Sequence, residues 1–335
     1  MIRLVLNRLD QQVVRVLAKL GRVGAVVYLL VRMPRYLREA RTVLIGLRAH
    51  EGVTREPRKT SAQLRRCIHR LEKGLLMRPR AKVFALDYIA EAVDAFSAAR
   101  RSPDFDQNEL IWASDVLAEY FAVVDPHPTI ETAKRRFKSI GGATRTSIPY
   151  RQRELSKSQV SPDDFFALCR QRRSTRWFLP TPVPRTLIDQ AVMTATQAPS
   201  ACNRQPFYFR FFDQAHDAAR IASIAMGTTG YAQQLPSLVV LIGDFSAFEH
   251  ERDRHLPYID GSLAAMQFML SLETLGLSSC PINWPDVETL ERRMQRELRL
   301  ERYERPIMLI AVGYADPEGG IAYSAKKDSS ILLRE

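Results

Sequence analysis

Cysteine is scarce. Cys67, Cys169, Cys202 and Cys280 are widely spaced along 335 residues and none belongs to a CxxC pair. Neither a disulfide framework nor a zinc site is implied, and a reducing compartment is the simplest setting. Long apolar runs are missing from the N-terminal quarter as well. Its longest, Val23 to Val31, is far shorter than the roughly 20 residues that span a bilayer. No small-residue cleavage site follows it, so neither a transmembrane helix nor a signal peptide is expected. No repeat or low-complexity tract is present, and a chain 46% hydrophobic and 26% charged is globular in composition. Acidic residues are short in one place only. Residues 1–80 carry 19 Lys+Arg against 5 Asp+Glu, whereas 81–160 carry 11 against 11 and 161–335 carry 19 against 21. The net charge of +12 therefore belongs to the N-terminal quarter, which should have affinity for something anionic.

Within residues 1–50, Ile2, Leu6, Leu9, Val13, Val16, Leu20, Val23, Val27 and Leu30 recur at helical spacing, with Arg8, Arg15, Lys19 and Arg22 off that stripe. Pro34 is expected to interrupt this helix, and a second basic helix follows from about residue 35 to 47. Such basic amphipathic helices suit an anionic membrane surface, or they bury their stripe on the rest of the protein or on a second subunit. The near absence of interleaved aromatics argues against nucleic acid. Residues 51–60 read as a linker. Residues 60–140 form a helical subdomain, with Ser61 opening a helix that Gly74 closes and further helices at 84–100 and 107–123. His69 and Glu72 are expected to be a surface or interhelical pair. The polar stretch 141–161 is the boundary to a C-terminal domain, 161–335.

That domain opens with Ser161-Pro162-Asp163-Asp164, an N-cap, a first-turn proline and two acids. A second helix starts at Pro184. Strands are expected at 208–212, 237–242 and 307–312, with a buried central helix at 259–275, an irregular loop at 280–285 and a helix at 287–298. Asp260 is either a cap or a buried partner. Where the first helix ends, Gln171-Arg-Arg-Ser-Thr-Arg-Trp-Phe178 gathers three guanidinium groups and two hydroxyls. Arginine forks and short hydroxyls suit a phosphate. The alternative is a solvated basic face.

Arg172-Arg-Ser-Thr-Arg-Trp-Phe, Ala198-Pro-Ser-Ala-Cys-Asn-Arg-Gln-Pro-Phe, a helix ending in Leu275-Gly-Leu, Pro281-Ile-Asn, Val312-Gly-Tyr and Lys326-Lys327 occur in this order. Together they resemble the FMN-dependent nitroreductase family over residues 161–335. His69-Arg-Leu-Glu-Lys-Gly ahead of such a domain resembles a subgroup with a helical N-terminal extension associated with bacterial polysaccharide biosynthesis.

The resemblance implies an α+β fold, with a mixed, mainly antiparallel sheet wrapped by helices, in an intertwined homodimer with FMN at the interface. It implies that Arg172 and Ser174 hold the FMN phosphate and ribityl chain, with Lys326 and Lys327 closing on the same phosphate. Arg173 serves that phosphate or solvent. Arg176 would stand near flavin N1 and O2, stabilising the negative charge of reduced flavin. Pro199, Ser200, Asn203 and Gln205 would reach the flavin bound mainly by the other subunit. The backbone of Pro281, Ile282 and Asn283 would pack on the isoalloxazine and offer an N–H to N5. Trp284, in place of a glycine, is expected to narrow the pocket. For Asn203 and Gln205 the alternative is ordinary turn residues, and for the two lysines a solvated tail. Cys202 and Cys280 are expected to be packing residues, since no histidine is near either in sequence. The implied chemistry is ping-pong hydride transfer from NADH or NADPH to an oxidised small molecule. The implied location is cytoplasmic, with residues 1–50 able to hold the protein peripherally on the inner face of the membrane. A membrane-surface accessory protein with a structural or vestigial flavin site is the rival reading.

Overall fold

The computed structural model describes residues 13–333 apart from 15, 141–143 and 145. The expected stripe residues Ile2, Leu6 and Leu9, with Arg8 and Arg15, lie outside the described residues. Helix α1, Gly21–Arg55, is one uninterrupted element, so neither the break expected at Pro34 nor the linker expected from residue 51 is found. A proline inside a helix costs roughly 3 kcal/mol through its lost N–H and its ring. Docking of the C-terminal half of α1 on the C-terminal domain offsets this. Gly46 lies so close to Phe245 that an added Cβ would stand 2.6 Å from the Phe245 carbonyl oxygen. His50 Nδ1–H donates to the Ser246 carbonyl at 2.7 Å, and Arg38 pairs with Asp286 and Glu288.

Helix α2, Ala62–Leu76, starts as expected, with Ser61 Oγ accepting from the Leu64 N–H at 3.1 Å. It runs past Gly74. That glycine is not a terminator but a contact point, because a Cβ there would meet the Phe84 ring at 2.3 Å. Helices α3 (Ile89–Arg101), α4 (Gln107–Val123) and α5 (Pro128–Ile140) complete a bundle around Leu64, Ile68, Leu71, Phe96, Leu117 and Tyr120. Tyr120 is fully buried, and its hydroxyl is satisfied by the Phe84 carbonyl at 2.7 Å. His69 and Glu72 form a 3.7 Å pair, and the Trp112 indole N–H donates to the same Glu72 at 3.0 Å. The segment after α5 is fastened by the buried Asp115 of α4, whose carboxylate accepts from the N–H groups of Thr144, Thr146 and Ser147.

In the C-terminal domain, helix α6 (Pro162–Gln171) is capped by Ser161 Oγ, which accepts from the Asp164 N–H at 3.1 Å. Helix α7 is Arg185–Ala195. Strand β1 (Phe207–Phe212) is followed by helix α8 (Ala215–Ala222), strand β2 (Ser237–Asp244) and helix α9 (Leu256–Thr274). Strand β3 (Ser278–Asn283), helix α10 (Glu288–Leu298), strand β4 (Glu304–Gly313) and a short helix α11 (Ser329–Leu332) complete the order. The sheet has the order β1-β2-β4-β3, every pair antiparallel, plus one parallel bridge between Ser174 and Ser279. This is the expected α+β architecture. Strand β2 is apolar on both faces because both are covered. Leu238, Val240 and Ile242 pack with α8 and α10, while Val239 and Leu241 pack with α7 and α9.

Two expectations fail here. The stretch expected to be an irregular loop begins inside a strand, β3. Its proline is tolerated because β3 is an edge: the Ser279 carbonyl faces away from β4 to accept the Thr175 N–H at 3.0 Å. By the two-residue alternation of an antiparallel ladder, Pro281 also faces outward, where its missing N–H removes no rung. Helix α9 is not buried all round. Asp260, Gly261, Ala264, Ala265, Phe268 and Leu272 face the sheet and α7, but Ile259 (52% exposed), Leu263 and Met266 form an open apolar row. Substituting Gly46→Ala should destabilise the protein by about 1–3 kcal/mol through overpacking against Phe245. Denaturant unfolding measures the loss, and faster proteolysis within residues 56–61 should accompany it.

Candidate functional site

The arginine-rich segment lies where the end of α6 meets the edge of the sheet. The Thr175 N–H bonds the Ser279 carbonyl, the Leu179 N–H bonds the Tyr314 carbonyl at 2.9 Å, and the Asp316 N–H bonds the Trp177 carbonyl at 3.0 Å. The segment therefore runs as an added ribbon beside the start of β3 and the end of β4. Gly313 makes room for it, since a Cβ there would meet the Phe178 ring at 2.8 Å. The structure thus brings 172–176 together with 279–283, as expected from sequence.

The three arginines are placed differently. Arg172 is half-buried and its Nε is buried without a hydrogen-bond partner. Two further unpartnered buried atoms lie nearby in the fold, Ser279 Oγ on β3 and Glu273 Oε1 at the end of α9. Burial raises the Glu273 carboxyl above its ordinary range, against which the Gln171 amide and the Arg172 charge act. Arg173 donates through Nη2 to the carbonyls of Ala322 (2.6 Å) and Tyr323, so it clamps the C-terminal segment. Lys326 and Lys327 follow on that clamped segment and are exposed. Arg176 is exposed, with Nη1 3.4 Å from the Ser174 carbonyl and its guanidinium carbon 6.0 Å from the centre of the Tyr231 ring. Burial pushes the Cys280 thiol up, and Arg176, Ser174 and Arg172 partly oppose the shift, so all three lie close to β3.

Along β3, Ile282 packs into the core with Cys280, and Asn283 is exposed with its backbone facing outward in register with Ser279 and Pro281. Trp284 does not narrow the site. It is 8% exposed and turned into the core, where its indole N–H donates to Glu291 at 2.6 Å beside Arg305. A bulky ring with a polar edge is accommodated here because Glu291 supplies the acceptor.

The 198–205 loop is a tight knot. Cys202, Asn203 and Gln205 all have φ near +50°, an unusual conformation for side chains with a Cβ. Within the C-terminal domain it is tied at two points: the Gln205 N–H reaches Ser200 Oγ at 3.1 Å, and the Ala201 N–H reaches Asp260 Oδ2 on α9 at 2.9 Å. Asp260 is thereby a buried partner, not a cap, and its burial raises its carboxyl pKa. Pro199 is exposed. Among the described residues, no hydrogen bond or ion pair joins this loop to residues 172–176 of the same chain. Sequence reasoning missed two contributors: Ser279, a bare hydroxyl on the strand beside Ser174, and Arg65, which reaches the loop from α2.

Residues 169–238 and 230–314 match the family model described as Nitroreductase family, so this part of the chain is similar to a nitroreductase family domain. The chain is 25% identical over 206 residues to "Putative NAD(P)H nitroreductase YdgI" of Bacillus subtilis, spanning 51% of this chain and 97% of that protein. A 45-residue stretch is 49% identical to 4-nitrobenzoate reductase of Pseudomonas putida, covering 13% of this chain and 20% of that one. Among solved structures, a nitroreductase-like protein from Streptococcus mutans aligns with a TM-score of 0.46 at 19% identity, over 52% of this chain and 99% of that chain.

The two buried cysteines, Cys67 in the helical bundle and Cys280 on β3, are packing residues. Burial takes the Cys67 thiol up to about 12 and raises Cys280 as well. Both should resist iodoacetamide at pH 8 in the folded protein, because the reacting thiolate is suppressed there. Mass spectrometry should find them alkylated only after denaturation.

Proposed function

We propose that the protein is an FMN-dependent NAD(P)H oxidoreductase working as a homodimer. The observation that carries this is the buried Arg172 Nε, which has no hydrogen-bond partner, two residues before Ser174, whose backbone bridges to Ser279 with its own unpartnered Oγ: an arginine and two hydroxyls are donors that suit a phosphate. Bound there, FMN would accept hydride from NADH or NADPH and return the electrons to an oxidised small molecule in ping-pong fashion. Arg172 and Ser174 would hold the phosphate, and Arg173 would bring the segment carrying Lys326 and Lys327 to the same end. Arg176 places an exposed cation beside Cys280 and Pro281, where it favours negative charge on whatever packs against β3. The outward Asn283 N–H is the donor that β3 offers beyond Pro281. The dimer is supported by the open apolar row Ile259, Leu263 and Met266, flanked by Phe165 and Phe166 on α6 and Met193 on α7. A second subunit covering that face would bring its 199–205 loop toward this site.

Purified protein should show a flavin spectrum, or acquire one with FMN, and should bleach anaerobically with NADH or NADPH. Colourless protein that takes up no FMN overturns the assignment. Arg176→Ala should lower the flavin potential more than Arg173→Ala does, and equal shifts would undo the division between the two.

A second reading concerns placement. Val13, Val16, Leu20, Val23, Val26 and Leu30 are exposed on the undocked N-terminal part of the chain, and no acid occurs between residues 11 and 38. No described helix is long and apolar enough to cross a membrane. Exposed apolar side chains with only basic neighbours favour peripheral attachment to an anionic bilayer. The full chain should co-sediment with phosphatidylglycerol-containing vesicles, less so at high salt and with pure phosphatidylcholine. Val23→Glu/Val27→Glu should lose the binding; unchanged partitioning would sink this placement.

A further inference from the structure

The knot at 200–205 needs an external hold, and the structure shows where it comes from. Arg65, in the first turn of α2, donates from Nε to the Asn203 carbonyl at 2.5 Å and from Nη2 to Gln205 Oε1 at 3.3 Å. Its Nη1 is fixed by Glu109 Oε2 at 2.9 Å, and its guanidinium carbon stands 5.4 Å from the centre of the Trp112 ring. Glu109 is itself almost wholly buried, and it accepts in addition from Thr60 Oγ (2.6 Å) and the Ser61 N–H (3.1 Å) at the start of α2. A carboxylate saturated in this way holds the guanidinium in one orientation, and the fork geometry of arginine carries that orientation to the loop. The far end of Gln205 is tied too, its Nε2 donating to the Thr196 carbonyl at 2.8 Å.

Both ends of the Gln205 amide are therefore used within the chain, while the Asn203 side chain has no partner among the described residues. Three residues with a Cβ lie in the left-handed region, and such conformations persist only when the surroundings over-determine them. We propose that Arg65 is a positioning residue: the helical subdomain 61–140 acts, through Glu109 and Arg65, as a brace that sets the 200–205 loop in the form that completes the flavin site, with Asn203 as its ligand-facing amide. This rests on the flavin reading above. It gives the N-terminal extension a role in the chemistry of the C-terminal domain.

The test uses the full chain and FMN as the probe. Arg65→Lys keeps a cation on Glu109 but cannot span Glu109, Asn203 and Gln205 together. Arg65→Leu/Glu109→Leu removes both charges, so no lone buried carboxylate is left. Both variants should bind FMN at least tenfold more weakly than the parent protein, with apoprotein melting temperatures within a few degrees of it. Asn203→Ala should match them in FMN affinity, whereas Gln205→Leu should also loosen the loop, read as faster amide exchange over residues 200–207. FMN affinities within twofold of the parent in both Arg65 variants overturn the proposal while leaving the flavin assignment intact. Losses matched by an equal fall in apoprotein stability in both variants overturn it as well, since they would report general packing. A parent protein that binds no FMN overturns the flavin assignment and this proposal together.

Discussion

One backbone hydrogen bond, from the Thr175 N–H to the Ser279 carbonyl, governs the geometry of the candidate site. It adds the arginine-rich segment to the edge of the sheet and so fixes Arg172, Ser174 and Arg176 relative to β3. An open sheet edge offers unpaired donors and acceptors and is normally blocked. Here the block is partial. Residue 279 is covered by Thr175, position 281 is a proline with no N–H to satisfy, and Asn283 keeps an outward N–H. The edge is thereby closed to a further strand and left able to donate at one place.

The N-terminal extension is joined to this domain at two separate places, and the two joints differ in kind. Helix α1 is held by close backbone approach at Gly46 and by charge, Arg38 reaching Asp286 and Glu288 just beyond β3. Helix α2 is held through two adjacent arginines, Arg65 with the buried Glu109 behind it and Arg66 paired with Glu249 at 2.5 Å. The first joint anchors the helix whose free end is apolar and basic; the second reaches a loop whose backbone is strained. The first joint ends beside residues 286–288, which follow β3, and the second at the 200–205 loop. The extension is therefore not a tethered appendage but a frame for the domain that follows it.

How legible all this was in the sequence depends on the range of the cause. Helix starts were readable because their causes are local: Ser61 and Ser161 each accept from an N–H three residues on. The buried strands were readable because β2 is apolar on both faces. The errors share another origin. Gly74 and Pro34 looked like punctuation, yet Phe84 against the first and the docking of α1 beyond the second are long-range facts. Pro281 hid a strand because whether a missing N–H matters depends on which side of the sheet it faces. Trp284 seemed to fill a pocket because the sequence carries no hint that Glu291 would draw it into the core. Within the site, the arginine cluster and the 281–283 stretch were legible through a family resemblance. Arg65 was not, since its partners lie 44, 138 and 140 residues away.

The arginine cluster itself shows why spacing alone under-determines function. Arg172, Arg173 and Arg176 occupy five residues, yet one is half-buried with an unpartnered Nε, one grips two carbonyls near the C-terminus, and one is exposed beside Tyr231 and Cys280. Arg172 ends helix α6, and the Arg173 carbonyl accepts from the Thr175 N–H at 3.0 Å, so the backbone turns between the two arginines and the bridge to Ser279. The first keeps a buried Nε without a partner, and the second grips the tail. Arg176 lies beyond the bridge to Ser279, and its charge is felt at Cys280, one residue from the outward face of β3. Three identical side chains thus meet three different surroundings within one short segment, because a helix end, a tight turn and the hydrogen bond to Ser279 follow one another along it.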